Sequence, residues 1–155
     1  MADLVSLALA QVPGVRRAHT PLVFTAHSLP VAMSGTSVYT TQVTESARLV
    51  AQRLGHARWS VAYQSRSGDP RTRWLEPDII QAIPRLAAQG ARELVVAPIG
   101  FVCDHIEVIY DLDIEARQIA EAHGLRQIRA ATVNDHPTFI RMMVDVVRGV
   151  LKTCR

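Results

Sequence analysis

The amino-acid sequence predicts an α/β fold with a four-stranded parallel sheet flanked by helices. Four short apolar runs recur along the 155 residues, and helix-like stretches separate them. Three of those stretches end at a glycine, which commonly closes a helix, a few positions before the next apolar run. Near-continuous apolar runs are typical of parallel strands that helices cover on both faces, with right-handed connections.

Each element is assigned from its own pattern. Strands are predicted at 21–26, 59–63, 93–97 and 127–132, where short apolar runs occur. Helices are predicted at 3–12, 46–55, 79–90, 116–124 and 139–148, and the closing glycines are Gly55, Gly90 and Gly124. Pro84 lies inside the third helix and is expected to kink or divide it, because proline lacks the amide hydrogen of the helical bond.

Composition favours one cytoplasmic domain over residues 1–155. A chain of this length can bury a sufficient core without disulfides, and two cysteines without metal-ligand spacing indicate a reduced compartment. No apolar run approaches the ~20 residues of a membrane span, and the opening segment has the reverse charge order of a secretory signal. The net charge of +3 and 5% aromatic content predict no nucleic-acid partner, and no glycine-rich nucleotide loop is present.

Polar side chains follow every predicted strand. In open parallel sheets, ligands bind beyond the carboxyl ends of the strands. In chain order these positions hold His27 and Ser28, then residues 64–68, then Cys103, Asp104, His105 and Glu107, and last residues 134–136. Burial of the strands does not require imidazoles and acids at one edge, so the sequence predicts a functional site there.

The segment 104–115, which we call the acidic segment, contains five carboxylates and neither lysine nor arginine. In an α-helix Asp104, Glu107 and Asp111 would form one stripe, and like charges at such spacing destabilise a helix by about 0.2–0.5 kcal/mol per pair. Two interpretations are open. In the first, the helix dipole stabilises the acids of the first turn. In the second, the stripe receives a divalent cation or relays protons.

His27 lies in a loop directly after a strand. Such a histidine is either a structural hydrogen-bonding residue or a base, with a pKa near ~6.5, that takes protons at neutral pH or binds a metal. A carboxylate from another strand end would favour the second role, and Glu107 is the candidate. One histidine and one facing carboxylate leave open positions on a metal, as transfer of that metal would require.

Three further side chains near this edge have alternative interpretations. Trp74 either covers the start of the next helix or offers a flat surface to a planar ligand. Arg66 belongs either to a solvated loop or to a site that binds the carboxylates of an acidic ligand. Cys103 is predicted to be a small buried hydrophobe, and Cys154 a free thiol in the tail.

Several motifs taken together resemble the ferrochelatase family. The sequence has TAHSLP at 25–30, YQSRSG at 63–68, WLEP at 74–77 and PIGFVCDHIE at 98–107, followed by DLD at 111–113. The resemblance runs along nearly the whole chain and corresponds to the carboxyl-terminal half of a usual ferrochelatase. It implies a Rossmann-like, chelatase-type domain and a lyase that inserts ferrous iron into a porphyrin in haem biosynthesis, in a cleft between two such domains.

The resemblance also implies roles for particular residues. His27 would be the active-site histidine and Glu107 the carboxylate that faces it, both at the metal. Asp104 and Asp111 would form a secondary acidic track. Glu76 stands where the family commonly has glycine. The residues implied to bind the porphyrin are Ser65, Arg66 and Trp74.

The implied chemistry treats Fe²⁺ as a substrate and needs no prosthetic group. Two cysteines cannot supply the four thiolates of an iron–sulfur cluster, so no cluster is expected. The segments YQSRSG and FVCDHIEV look closest to actinobacterial enzymes, whose usual substrate is coproporphyrin III, with protoporphyrin IX as the other porphyrin.

Correspondence to half of a ferrochelatase leaves several arrangements open. The chain would be a piece without activity of its own, a subunit that pairs with a separate amino-terminal half, or a homodimer that rebuilds the cleft. The competing functions are a short dimeric chelatase for sirohydrochlorin or a cobalt precursor, and a non-catalytic module that binds a tetrapyrrole or metal.

Overall fold

The computed structural model describes residues 1–34, 38–69 and 71–153 and has a parallel sheet at its centre. The strands are β1 (Leu22–His27), β2 (Trp59–Gln64), β3 (Glu93–Ala97) and β4 (Arg126–Arg129). Their order is β2-β1-β3-β4, which places β1 and β3 in the middle. The predicted strands and their parallel arrangement are confirmed.

Strand β1 is held on both sides. Phe24 is aligned with Val61 of β2 and with Ala97 of β3, and β1 is buried from Leu22 to Ala26. Burial on both faces is the reason that this strand appears in the sequence as an uninterrupted apolar run. Strand β4 is shorter than predicted, covering 126–129 instead of 127–132, and it pairs with β3.

Helices lie along the chain before, between and after the strands. They are α1 (Ala2–Ala10), α2 (Gly14–Arg17), α3 (Val31–Ser34), α4 (Tyr39–Leu54), α5 (Ile79–Ala88), α6 (Ile106–Val108), α7 (Arg117–Ala122) and α8 (Pro137–Thr153), with a π-helical segment (Ile109–Ala116) between α6 and α7. The short helices α2 and α3 were not predicted, and α4 begins earlier than its pattern suggested. Within the described residues, none of the helices has the length and apolar character needed to cross a membrane.

Helix α5 is continuous through Pro84, so the predicted division of this helix is wrong. Its first turn is capped, because the Asp78 carboxylate accepts a hydrogen bond from the Ile80 amide at 2.8 Å. Ile79 and Ile83 are buried against the sheet. This packing offsets the one helical hydrogen bond that proline removes.

The core has a layer on each face of the sheet. The first layer packs α1 and α4 on the sheet, and its members include Val5, Leu9, Ala47, Ala51, Leu22, Phe24 and Val95. The second layer packs α5, the π-helical segment and α7 on the other face, and its members include Ile83, Leu112, Ala116, Ala120, Val23, Leu94 and Val96. Helices on both faces are what the apolar runs predicted.

The acidic segment does not form the predicted α-helical stripe. Asp104 precedes the first helical residue, Ile106, and therefore lies off the helix. Asp111 lies in the π-helical segment, where hydrogen bonds join residues five apart and the turn is wider. The i, i+3, i+7 rule that placed Asp104, Glu107 and Asp111 on one face assumed α-helical turns throughout, so this prediction is wrong.

The loop after β3 crosses closely over the end of β1 at Gly100. A Cβ atom on Gly100 would lie 2.6 Å from the Ala26 Cβ and 2.7 Å from the Ala26 Cα. The Gly100 amide also donates a hydrogen bond of 3.0 Å to the carbonyl of Thr25. Only glycine permits this approach, which brings the chain after β3 beside His27.

We predict that Gly100→Ala lowers the free energy of unfolding by about 1 to 3 kcal/mol, the usual cost of forcing an atom into a packed core. Urea denaturation of the parent and variant measures this difference. Gly149→Ala is the control, because a Cβ there meets no atom within 4 Å. In helix α8 the added methyl group should stabilise the chain by about 0.5–1 kcal/mol. Equal stability of Gly100→Ala and the parent would contradict the close approach.

Candidate active site

The carboxyl ends of the strands bring His27 and Glu107 together. His27 is the last residue of β1, and Glu107 lies in α6, which follows β3 through the loop at Gly100. The His27 Nε2 atom is 3.9 Å from the Glu107 Oε1 atom. Both side chains remain accessible, with 36% of His27 and 52% of Glu107 exposed.

The orientation of the His27 ring is set by the backbone. Its Nδ1 atom lies 2.6 Å from the carbonyl oxygen of Ser28. A carbonyl oxygen only accepts hydrogen bonds, so the contact requires the proton of the neutral ring to be on Nδ1. The Nε2 atom, which faces Glu107, then carries the free lone pair and can accept a proton or bind a cation.

Tyr39 fixes the backbone of the same residue. Its hydroxyl donates a hydrogen bond of 2.8 Å to the carbonyl oxygen of His27. Burial, followed by the nearby Tyr63, raises the pKa of Tyr39 above its ordinary value. The phenol therefore stays protonated at neutral pH and remains a donor.

His105 is a second imidazole beside Glu107. Its Nδ1 atom is 3.9 Å from the Glu107 Oε2 atom, and the ring of Phe101 packs against the rings of His27 and His105 with centroid distances of 6.5 and 5.3 Å. Separations of 3.9 Å exceed hydrogen-bond length. The Glu107 carboxylate thus lies between two imidazoles without a direct hydrogen bond to either.

No metal centre is formed by side chains in the part of the chain that the structure describes. Among those residues, no group of three or more His, Cys, Asp and Glu side chains could hold a metal ion. The metal-binding roles of His27 and Glu107 remain predictions.

Asp111 faces the end of β2 and is held there by hydrogen bonds. The hydroxyl of Ser65 donates to its carboxylate, and the Nε2 group of the buried Gln64 donates to the same oxygen at 3.3 Å. Ser65 has a left-handed backbone with φ of 64°, the conformation that places its side chain at this strand end. Asp111 also lines a cavity of about 210 Å³ with Arg66 and Glu115.

Arg66 is engaged within the chain. Its Nε atom lies 2.8 Å from an Asp78 oxygen, and Asp78 is also the cap of α5. Ser65 and Arg66 therefore contact carboxylates of this chain, and their porphyrin-binding roles remain predictions.

Asp104 binds Arg129, and its predicted place with Asp111 in a secondary acidic track remains a prediction. The Nη1 atom of Arg129 is 2.9 Å from an Asp104 oxygen, and its Nε atom is 2.8 Å from an Asp113 oxygen. Cys103, which precedes Asp104, is exposed, so its predicted burial is wrong. The loop that brings Phe101 inward turns Cys103 outward. Cys154 lies outside the described residues.

Trp74 is attached to the loop that follows His27. Trp74 and Pro30 form an antiparallel bridge, and flanking backbone bonds join Leu75 to Leu29 at 2.9 Å and Val31 to Arg73 at 2.8 Å. Its side chain is half-buried and lines a groove together with Arg66 and Thr72. The structure places Trp74 beside the candidate site, and its contact with a planar ligand remains a prediction.

Sequence reasoning missed three residues that organise this site: Tyr39, Phe101 and Arg129. Phe101 and Tyr39 had no signal beyond their apolar or aromatic character. The surplus of acids in the acidic segment was a signal for Arg129, because so many carboxylates require a cation from elsewhere in the chain.

The parallel sheet, with a histidine and an acidic helix at its carboxyl edge, defines a chelatase-type α/β domain. The family model for ferrochelatase matches residues 1–151. This chain therefore belongs to the ferrochelatase family.

Named relatives agree with this assignment. The chain is 46% identical over 149 residues to the ferrochelatase of Rhodopirellula baltica, covering 96% of this chain and 42% of the relative. It is 47% identical over 149 residues to the coproporphyrin III ferrochelatase of Mycolicibacterium paratuberculosis, covering 94% and 43%. The chain thus spans less than half the length of these curated relatives.

A solved structure supports the fold. The crystal structure of a CbiX protein from Marinobacter aquaeolei VT8, named for cobalamin (vitamin B12) biosynthesis, matches with a TM-score of 0.59 and 18% identity. The match covers 86% of this chain and 98% of that chain. At this identity the likeness concerns the fold alone, and it confirms the predicted chelatase-type architecture.

We predict that two histidines of this chain are opposite neutral tautomers. His27 must carry its proton on Nδ1, whereas His56 must carry it on Nε2, because that atom lies 2.8 Å from the carbonyl oxygen of Thr20. Nitrogen-15 NMR of the imidazole rings, at a pH where both are neutral, distinguishes the two forms. His56 serves as the internal reference. An Nε2-protonated His27 would show that its lone pair does not face Glu107.

Proposed function

We propose that this chain supplies the catalytic histidine and acid of an enzyme that inserts ferrous iron into a porphyrin in haem biosynthesis. The observation that carries the proposal is the free Nε2 lone pair of His27, which faces the Glu107 carboxylate at 3.9 Å on an accessible edge. Membership of the ferrochelatase family supports it. Because the chain spans less than half of its relatives, the activity belongs to a larger assembly.

The reaction needs a proton acceptor and a route for a cation. Insertion of Fe²⁺ releases the two pyrrole N–H protons of the porphyrin, so that the +2 charge of the iron replaces two protons and the charge of the macrocycle core is unchanged. His27 Nε2 can accept a proton or bind the incoming iron. Glu107 provides the negative charge that attracts Fe²⁺ to the same point. Fe²⁺ is a substrate in this scheme, which uses no prosthetic group and no iron–sulfur cluster.

The proposed porphyrin is coproporphyrin III. Several relatives at 44–47% identity carry that substrate in their names, whereas the relative from Rhodopirellula baltica is named ferrochelatase alone. Protoporphyrin IX is therefore the alternative. The indole of Trp74 would stack on the macrocycle, and Arg66 would meet its carboxylates after releasing Asp78. The reaction would take place in the cytoplasm.

We infer that an amino-terminal half, like the rest of the longer relatives, covers this domain, because α8 has a large exposed apolar face. The charged residues of α8 occur every three or four positions, so they lie along one side of this helix. Eight large apolar side chains of α8 are 40–62% exposed: Ile140, Met142, Met143, Val144, Val146, Val147, Val150 and Leu151. The relatives contain more than half of their length outside the match, which is enough chain to cover such a face. A second copy of this chain is the other arrangement.

We predict that His27→Ala reduces iron insertion by at least about 100-fold, because the proton acceptor is lost. The assay mixes this chain with the amino-terminal part of the Mycolicibacterium paratuberculosis relative and follows anaerobic formation of iron coproporphyrin. Porphyrin binding, measured by fluorescence, should persist. His123→Ala is the control, because His123 is exposed at the end of α7, far along the chain from the site.

The same assay separates the competing arrangements. Turnover by the unmixed chain as a dimer would contradict the need for a separate half, and native mass spectrometry gives the subunit count. Porphyrin binding without turnover in every mixture would favour the non-catalytic module. Faster metal insertion into sirohydrochlorin than into coproporphyrin would favour the short chelatase. Full activity of His27→Ala would refute the role of the imidazole.

We predict that Glu107→Gln raises the KM for Fe²⁺ by about tenfold or more and leaves the Kd for porphyrin within about twofold. The amide keeps the shape of the side chain but removes the charge that attracts the cation. Iron saturation curves and porphyrin fluorescence titrations provide the two constants. Glu121→Gln on the exposed face of α7 is the matched control. Parallel changes in both constants would contradict a specific role in iron delivery.

A further inference from the structure

The acidic segment requires positive charge from outside itself. It contains five carboxylates and neither lysine nor arginine. Arg117, which follows it, pairs with Asp113 at 3.5 Å, and its side chain is about half exposed. Like charges in so short a segment repel each other and would loosen the helix that carries Glu107.

Arg129, at the end of β4, supplies that charge. Its side chain is only 16% exposed and contacts two carboxylates at once, Asp104 through Nη1 at 2.9 Å and Asp113 through Nε at 2.8 Å. Burial acts against the charged form of Arg129, but the hydrogen bonds and charges of Asp113 and Asp104 outweigh it and raise its pKa. The guanidinium therefore stays positive at every pH at which the protein is folded.

The position of Arg129 in the sheet makes it a rigid anchor. It is aligned with Val96 of β3. The side-chain Nε2 group of Gln127, two residues earlier on the same face of β4, donates a hydrogen bond of 2.6 Å to the Leu112 carbonyl. Asp104 and Asp113 lie on either side of His105 and Glu107 in sequence. One side chain on the sheet thus fastens both ends of the segment that carries these two residues.

The carboxylates of the acidic segment differ in their partners. Asp104 and Asp113 bind Arg129, whereas Asp111 accepts hydrogen bonds from Ser65 and Gln64. In the described part of the chain, Glu107 faces the imidazoles of His27 and His105, each at 3.9 Å. Among these four, Glu107 is the carboxylate left to attract a cation.

We propose that Arg129 is a positioning residue: by binding Asp104 and Asp113 together, it holds Glu107 at its distance from His27 and keeps the other two carboxylates away from the incoming cation. The kinetic consequence of this role rests on the proposed function. Its effect on the order of the acidic segment rests on the structure alone.

The first test measures order without any need for activity. Hydrogen–deuterium exchange of the whole chain should show amides in 104–113 exchanging about tenfold faster in Arg129→Met than in the parent. Arg117→Met is the matched control, because it removes a cation from Asp113 without touching Asp104, and its exchange should match the parent. Asp104→Asn provides a milder change if Arg129→Met fails to fold, and it should loosen the amides nearest to residue 104.

The second test uses the mixed assay for iron insertion. Arg129→Met should raise the KM for Fe²⁺ by up to about tenfold, because a displaced Glu107 attracts the cation less well, while the KM for porphyrin stays unchanged. Arg129→Lys retains the charge, but its single ammonium group cannot bind both carboxylates as the guanidinium does, so it should restore only part of the affinity for Fe²⁺.

The outcomes separate this proposal from the proposed function. Parent-like exchange in both Arg129→Met and Asp104→Asn overturns the positioning role whether or not the assembly is active. Faster exchange in Arg129→Met with an unchanged KM for Fe²⁺ also overturns it. Faster exchange in an assembly whose parent inserts no iron refutes the proposed function and leaves the anchoring of the segment supported.

Discussion

The site depends on a close backbone contact, the passage of Gly100 over Ala26 at the end of β1. Because β1 is buried on both faces, it cannot move to accommodate a larger neighbour. The chain after β3 therefore turns at one fixed point, which directs Phe101 inward and leads to Glu107 in α6. His27, one residue beyond Ala26, meets Glu107 for that reason. The distance between the base and the acid is a property of core packing as much as of the two side chains.

The pairing of charges at the carboxyl edge of the sheet then determines which carboxylate can attract a cation. The carboxylates of the acidic segment repel each other. Arg129 of β4 pairs with Asp104 and Asp113, and Gln64 of β2 donates a hydrogen bond to Asp111. Glu107 keeps a carboxylate that is more than half exposed. A charge in contact with water attracts a cation weakly, since solvent screens it. A second polypeptide over this edge would exclude water and strengthen the attraction, which agrees with a chain that spans less than half of its relatives.

Much of this molecule was accessible from periodicity and motif spacing. Local patterns predicted the four strands and their parallel arrangement, because a strand buried on both faces appears as a run that is apolar throughout. They also predicted the edge of the sheet at which the polar residues lie. The same patterns failed at 104–116. The spacing of the acids records neither the π-helical segment nor the start of α6 at Ile106. Likewise, Pro84 suggested a break that burial of Ile83 prevents.

The sequence by itself determined the fold class, the family and the candidates His27 and Glu107, since each of these is a matter of residue type and order. Only the tertiary structure decided which groups meet. It pairs Asp104 with Arg129 and Arg66 with Asp78, and it directs hydrogen bonds from Ser65 and Gln64 to Asp111. Such pairings join residues far apart in the chain, and they form because a partly buried charge must find a partner within hydrogen-bond distance wherever the fold supplies one.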